Sequence, residues 1–149
     1  MAFITARLQR RFGAVWASVM VAPCFGFIHF PLLFISGGVM DGRPHGLQLV
    51  EYIVFLLILF SVPVRLIVTW VFNSTRGSLP VVALMHSSFD TTASTAVLNA
   101  FFPRVDGLWL YVGLMVVAAV VIVATRGRLG YRPVAAETVQ SLLPRPTPT

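Results

Sequence analysis

His86 and Asp90 stand four residues apart in His86-Ser-Ser-Phe-Asp90. On a helix that spacing puts the imidazole and the carboxylate on one face, where the carboxylate can orient the ring, raise its basicity or share a bound cation with it. His29 lies in Phe25-Gly-Phe-Ile-His29-Phe-Pro31, with Phe25 one helical turn back on the same face and Pro31 freeing backbone carbonyls nearby. Two imidazoles and a carboxylate can divide the proton transfers of a hydrolysis between them. They can equally supply three ligands to a divalent metal such as zinc and leave one position for water. Each feature also has a plainer reading. His29 can simply hydrogen-bond a neighbouring carbonyl or serine. Ser87, Ser88, Thr91, Thr92, Ser94 and Thr95 can be small-residue packing between helices, the default for such a stripe, or the lining of a wet cavity.

The elements that carry these residues are strongly apolar. The chain has 149 residues, 57% hydrophobic and 11% charged, with a mean hydropathy of +0.86. That leaves too little polar surface to coat a water-soluble globule of this size, so lipid must cover the rest. Four apolar runs stand out, from about Phe12 to Ile35, Val50 to Phe72, Leu79 to Phe102 and Leu108 to Ala124. Each reaches or approaches the roughly 20 residues that cross hydrocarbon as a helix. Gly37-Gly38 with Asp41 to Gly46, then Asn73 to Ser78, then Pro103 to Gly107 read as turns between antiparallel neighbours. The expected fold is an all-α, polytopic transmembrane helix bundle of about four spans over residues 1–125. A basic, proline-rich and disordered tail follows over 126–149.

The net charge of +6 rests entirely on arginine. These residues flank apolar runs instead of lining one helix face, which speaks for membrane orientation and against nucleic acid. Arg7, Arg10, Arg11, Arg76, Arg126, Arg128 and Arg132 fall on one side of a four-span array, whereas Arg43 and Arg104 on the other each have a nearby aspartate. The positive-inside tendency then places both termini in the cytoplasm. A signal peptide is the competing reading of the first run, but that run is long and ends in no small-x-small cleavage site. Arg65, near the cytoplasmic end of the second run, reads as a snorkelling side chain, and Glu51 as an interfacial one. Trp16, Trp70 and Trp109 read as interfacial anchors, and Cys24, unable to form an internal disulfide, as packing.

Phe25-x-x-x-His29 with Pro31, followed by Arg76-Gly-Ser-Leu-Pro80 leading into His86-x-x-x-Asp90, resembles the CPBP family of intramembrane proteases. That family includes the CAAX prenyl endopeptidases and bacterial bacteriocin-processing or immunity proteins. Its pattern is Glu-Glu-x-x-x-Arg, then Phe-x-x-x-His, then His-x-x-x-Asn or Asp; the last two are present here. Arg7-Leu-Gln-Arg-Arg-Phe-Gly13 resembles the basic linker after the acidic motif in many bacterial members. The resemblance implies an intramembrane endopeptidase of a bacterial cytoplasmic membrane, with the lipid bilayer and a membrane-associated peptide or protein substrate as partners. His29, His86 and Asp90 are then the catalytic residues or the ligands of a divalent metal.

The 149 residues contain no Glu-Glu pair, and the family pattern would put it just upstream of Met1. A start codon assigned too late, a gene fragment and a shortened, inactive relative all fit. Little or no proteolysis is expected of this polypeptide alone. Two further readings stand beside the protease: a non-catalytic membrane binding or immunity protein of the same fold, and a small transporter in which His86 and Asp90 relay protons. The protease reading requires the first and third runs to pack side by side, with His29 and His86 pointing into one cavity.

Overall fold

The computed structural model describes residues 2–34, 46–54, 59–93, 100–102 and 107–132. Within them lie α1 (Ala2–Phe12), α2 (Ala14–Phe27), α3 (Gly46–Val54), α4 (Ser61–Ser74), α5 (Leu79–Ala93) and α6 (Gly107–Ala124), with a short 3-10 helix at Phe30–Phe34. No strand occurs among the described residues.

The axis of the bundle is α4. Helices α2, α5 and α6 each pack on it, and α1 packs on α2. The contact between α2 and α4 follows from side-chain size. Ala14, Ala17, Ser18, Val21 and Ala22 recur every three or four residues and form the buried stripe of α2, and such small residues let two helix backbones approach closely. The Ser18 hydroxyl lies 2.8 Å from the Ala14 carbonyl, to which it can donate, and 2.8 Å from the Thr69 hydroxyl of α4. On the other flank Ala14, Leu66 of α4, Ala118 and Val121 of α6, and Leu129 form the apolar core.

Backbone conformation sets the helix ends. Gly13, at a φ of 81°, interrupts α1 and α2 in a region that costs glycine little. The same tripeptide closes α4 and α6, as Thr75-Arg76-Gly77 and Thr125-Arg126-Gly127. In each, the arginine and glycine both take positive φ. The glycine N–H then donates to the carbonyl five residues back, Phe72 or Ile122, at 2.8 Å, which satisfies a carbonyl the helix end would leave open. Pro80 falls in the first turn of α5, where its missing N–H removes no intrahelical bond.

The apolar runs map onto helices with interruptions. The first begins at the Gly13 break, with α1 lying before it and outside every apolar run, and is interrupted after Phe27, where the 3-10 segment begins. Residues 55–58 of the second and 94–99 of the third lie outside the described residues, as do the expected turns at 37–45 and 103–106 and the proline-rich tail from 133 on. The longest helix, α6, has 18 residues and no charge; it measures about 27 Å at 1.5 Å per residue, just under the roughly 30 Å of a hydrocarbon core. Among the described residues no helix is long and apolar enough to cross a membrane. Where the first and third runs were expected side by side, α2 and α5 are joined chiefly through α4.

Candidate active site

His29 sits in the turn that leaves α2, where its backbone N–H donates to the Gly26 carbonyl at 2.9 Å. Its Nδ1 lies 3.2 Å from the Phe25 carbonyl. A carbonyl only accepts, so Nδ1 carries the proton and Nε2 keeps the lone pair. Phe25 then meets both histidines edge-to-face, with ring centroids 5.5 Å from His29 and 5.3 Å from His86. The two imidazoles lie 5.9 Å apart, so residues from the end of α2 and the middle of α5 converge on one point.

The helical spacing in α5 brings His86 Nε2 to 3.4 Å from Asp90 Oδ2. The carboxylate is about half exposed, so its hold on the ring is screened by solvent. With Nε2–H directed at Asp90, Nδ1 presents the lone pair of His86. Nδ1 is buried and has no hydrogen-bond partner among the described residues. Buried polar atoms are rarely left so.

Two cavities meet at His86, and His29 lines neither, so the expectation that both imidazoles point into one cavity does not hold for them. One, of about 380 Å³, lies between α1, the end of α2, α4 and α5, and is bounded by Thr5, Phe25, Arg65 and His86. The other, of about 580 Å³, is walled by apolar side chains of α4, α5 and α6, among them Phe89, Trp109 and Leu114, and also ends on His86.

One ligand atom from each of His29, His86 and Asp90 can be chosen so that all three lie within 4.8 Å of one another. A tetrahedral zinc site, with bonds of about 2.0–2.1 Å, spaces its ligand atoms about 3.4 Å apart. The nitrogen and oxygen donors therefore suit such an ion, once the side chains draw in.

Several sequence readings need correction. Arg65 does not snorkel: it is 6% exposed, packed inside the bundle. It lies nine residues before the end of α4 at Ser74, about 13 Å along the axis, farther than an arginine side chain can reach. Its Nη2 donates to Thr5 Oγ1 at 2.6 Å, and its guanidinium carbon lies 5.9 Å from the Phe25 ring centre. The signal available in the sequence was its position within Val62-Pro-Val-Arg65-Leu-Ile-Val68, apolar on both sides. Cys24 is exposed, not packed. Ser87, Ser88 and Thr91 are exposed too, so they do not form a small-residue packing seam, while the side chains of Thr92, Ser94 and Thr95 lie outside the described residues. Trp16 and Trp109 are exposed, whereas Trp70 packs against the core.

An all-helical bundle with two imidazoles, a carboxylate and adjoining cavities is a hydrolase-like arrangement, and comparison with known proteins identifies the lineage. The family model of type II CAAX prenyl endopeptidase Rce1-like proteins matches residues 1–92, well over half of the chain, and the chain belongs to that family. The match extends through Phe25, His29, His86 and Asp90. No curated protein and no solved structure matches the chain.

Proposed function

We infer that this chain carries the histidine-bearing part of a membrane endopeptidase site that hydrolyses peptide bonds of membrane-associated, lipid-modified substrates. The supporting observation is the meeting of His29 and His86 at 5.9 Å beside an apolar cavity of about 580 Å³. The cavity suits an apolar chain, and the imidazoles suit the carbonyl attached to it. Lipid as the surrounding medium is supported by the outward side chains Trp16, Met20, Leu84, Trp109, Val116 and Val123, each at least half exposed. Exposed apolar surface on this scale is unusual in a soluble monomer.

In the hydrolysis, water adds to the scissile carbonyl and the peptide nitrogen leaves with a proton. The Nδ1 lone pair of His86 accepts a proton from water, with Asp90 holding the ring through Nε2. The protonated imidazole is then a donor for the oxyanion or the leaving nitrogen. His29, its Nδ1–H held by the Phe25 carbonyl, orients the water through Nε2. The Glu-Glu carboxylates of the family pattern have no counterpart in these 149 residues, so the imidazoles are left as the bases and residues 1–149 by themselves hydrolyse little.

A divalent ion such as zinc is the other way to activate the water, and when bound it supplies a Lewis acid and an acidified water. His29, His86 and Asp90 would hold it. Asp90 cannot turn to an ion and keep its present partnership with His86 Nε2, so the two mechanisms exclude each other at that residue.

The test is a fluorogenic, prenylated peptide in vesicles, offered to residues 1–149 and to the same chain preceded in frame by a helix bearing Glu-Glu-x-x-x-Arg. Residues 1–149 should stay near background. The extended chain should turn over and lose about 100-fold or more with His86→Ala. Robust turnover by residues 1–149, or an extended chain indifferent to His86→Ala, would overturn the reading. Turnover that survives exhaustive chelation assigns the work to the protein's own groups, and loss restored by zinc assigns it to the metal.

A further inference from the structure

Arginines far apart in the sequence meet at one end of the bundle. Arg10 and Arg11 close α1, Arg76 follows α4, and Arg126, Arg128 and Arg132 follow α6. Three contacts bring these helix ends together. Asn73 Nδ2, at the end of α4, donates to the Leu129 carbonyl at 2.9 Å. Leu129 shares the apolar core with Ala14, the first residue of α2. A Cβ on Gly127 would stand 3.8 Å from Val15 Cγ2. Each of the six arginines is exposed and lies within four residues of one of these contacts. None is paired with a carboxylate among the described residues, and residues 10–16, 73–78 and 125–132 contain no acidic side chain. The turns that carry Arg76 and Arg126 are held in place, because the Gly77 and Gly127 N–H groups donate to the Phe72 and Ile122 carbonyls. Helix dipoles do not balance such a charge. With α1, α4 and α6 ending here and α2 beginning here, they supply about one negative charge in all.

Apolar side chains border this charge. Phe12 and Trp16 of α1 and α2, and Val120 and Val123 of α6, are all exposed, and the Arg11 guanidinium carbon lies 5.3 Å from the centre of the Phe12 ring. A soluble polyanion has no use for such a border. At a bilayer surface the rings and aliphatic groups reach the acyl chains while the guanidinium heads reach phosphate, which they match through paired N–H donors. We propose that this end of the bundle binds the headgroups of anionic phospholipids, with Arg10, Arg11, Arg76, Arg126, Arg128 and Arg132 acting together. The proposal rests on the lipid surroundings inferred above and on none of the peptidase chemistry. It is separate from the imidazole site, because His29 follows the other end of α2, about 20 Å away along a 14-residue helix.

The experiment places the full chain in phosphatidylcholine vesicles with a trace of spin-labelled lipid and measures the fraction of label immobilised at the protein. Spin-labelled phosphatidylglycerol should associate at least about fivefold more strongly than spin-labelled phosphatidylcholine, the effect of one cation near an anionic lipid. The preference should stand at an ionic strength of about 0.01 M and collapse at about 1 M, where charges are screened within about 3 Å. Changing all six arginines to glutamine should abolish it. Lysine at the same six positions should keep it, with the immobilised fraction of phosphatidylcholine unchanged in both variants as the control for folding. Equal association of the two lipids with the unaltered chain at low salt overturns the proposal without need of any variant and leaves the membrane reading standing; retention of a short single-stranded oligonucleotide by the same vesicles would then assign the arginines to a soluble polyanion. A preference that survives in a folded glutamine variant overturns it as well. Immobilisation of neither lipid withdraws the bilayer, and the proposal with it.

Discussion

At His86 the two ring nitrogens have separate tasks. Nε2 faces Asp90 at 3.4 Å, and Nδ1 is buried with no described partner. In the proposed hydrolysis Asp90 positions that ring, and its half-exposed carboxylate makes the effect modest. Asp90→Asn is expected to lower turnover by about tenfold, the small end of the range for groups that orient a ligating or catalytic histidine. It should do so with KM unchanged; a loss confined to KM would place Asp90 in substrate binding instead. The pairing of His86 with Asp90 was legible in the sequence, because a spacing of four has one geometric meaning on a helix. Their meeting with His29 needed the family resemblance, since no local pattern reports a contact between residues so far apart in the chain. Arg65 was misread because a charge within an apolar run looks alike in sequence whether its head reaches water or not.

Helix α4 joins α2 and α5, the helices that bring the site together, and its supports are small side chains and turn geometry. Gly130 takes a φ of +70°, and a Cβ there would meet Ser74 Oγ at 2.9 Å, at the end of α4. Gly130→Ala is therefore expected to destabilise the bundle by about 1–3 kcal/mol, read as a lowered thermal midpoint. An unchanged midpoint would mean that the segment after α6 does not brace α4. Leu129, fully buried in the core cluster beside it, belongs to the same brace, and Asn73 Nδ2 of α4 donates to its carbonyl at 2.9 Å. Apolar runs located these helices well but not their breaks. Hydropathy follows apolar content alone, so α1, which carries Arg7, Arg10 and Arg11, escaped it. The small-residue stripe of α2, Ala14, Ala17, Ser18, Val21 and Ala22, went unread in the sequence.

For the molecule as a whole, the proposal that lipid surrounds the bundle rests on the exposed apolar side chains of α2, α5 and α6, and the single cysteine offers a direct probe. Cys24 is exposed on the protein surface, inside the first apolar run. If lipid covers that surface, a membrane-impermeant maleimide should leave Cys24 unlabelled in intact vesicles and label it after denaturation in detergent. Rapid labelling in intact vesicles would place this face of α2 in water and withdraw the bilayer from the account. Composition alone raised the same expectation. It could not divide the surface between lipid and internal cavities, because an apolar residue satisfies either.

The central claim is that His29 and His86 act as one site, and a double-mutant cycle on turnover of the prenylated peptide by the chain carrying the acidic helix measures it. His29→Ala and His86→Ala should each cost about 100-fold, and the double variant should cost scarcely more than the worse single one, as residues acting together do. Losses that multiply, or a single variant that keeps full turnover, would show that the two imidazoles, though 5.9 Å apart, do not share a reaction.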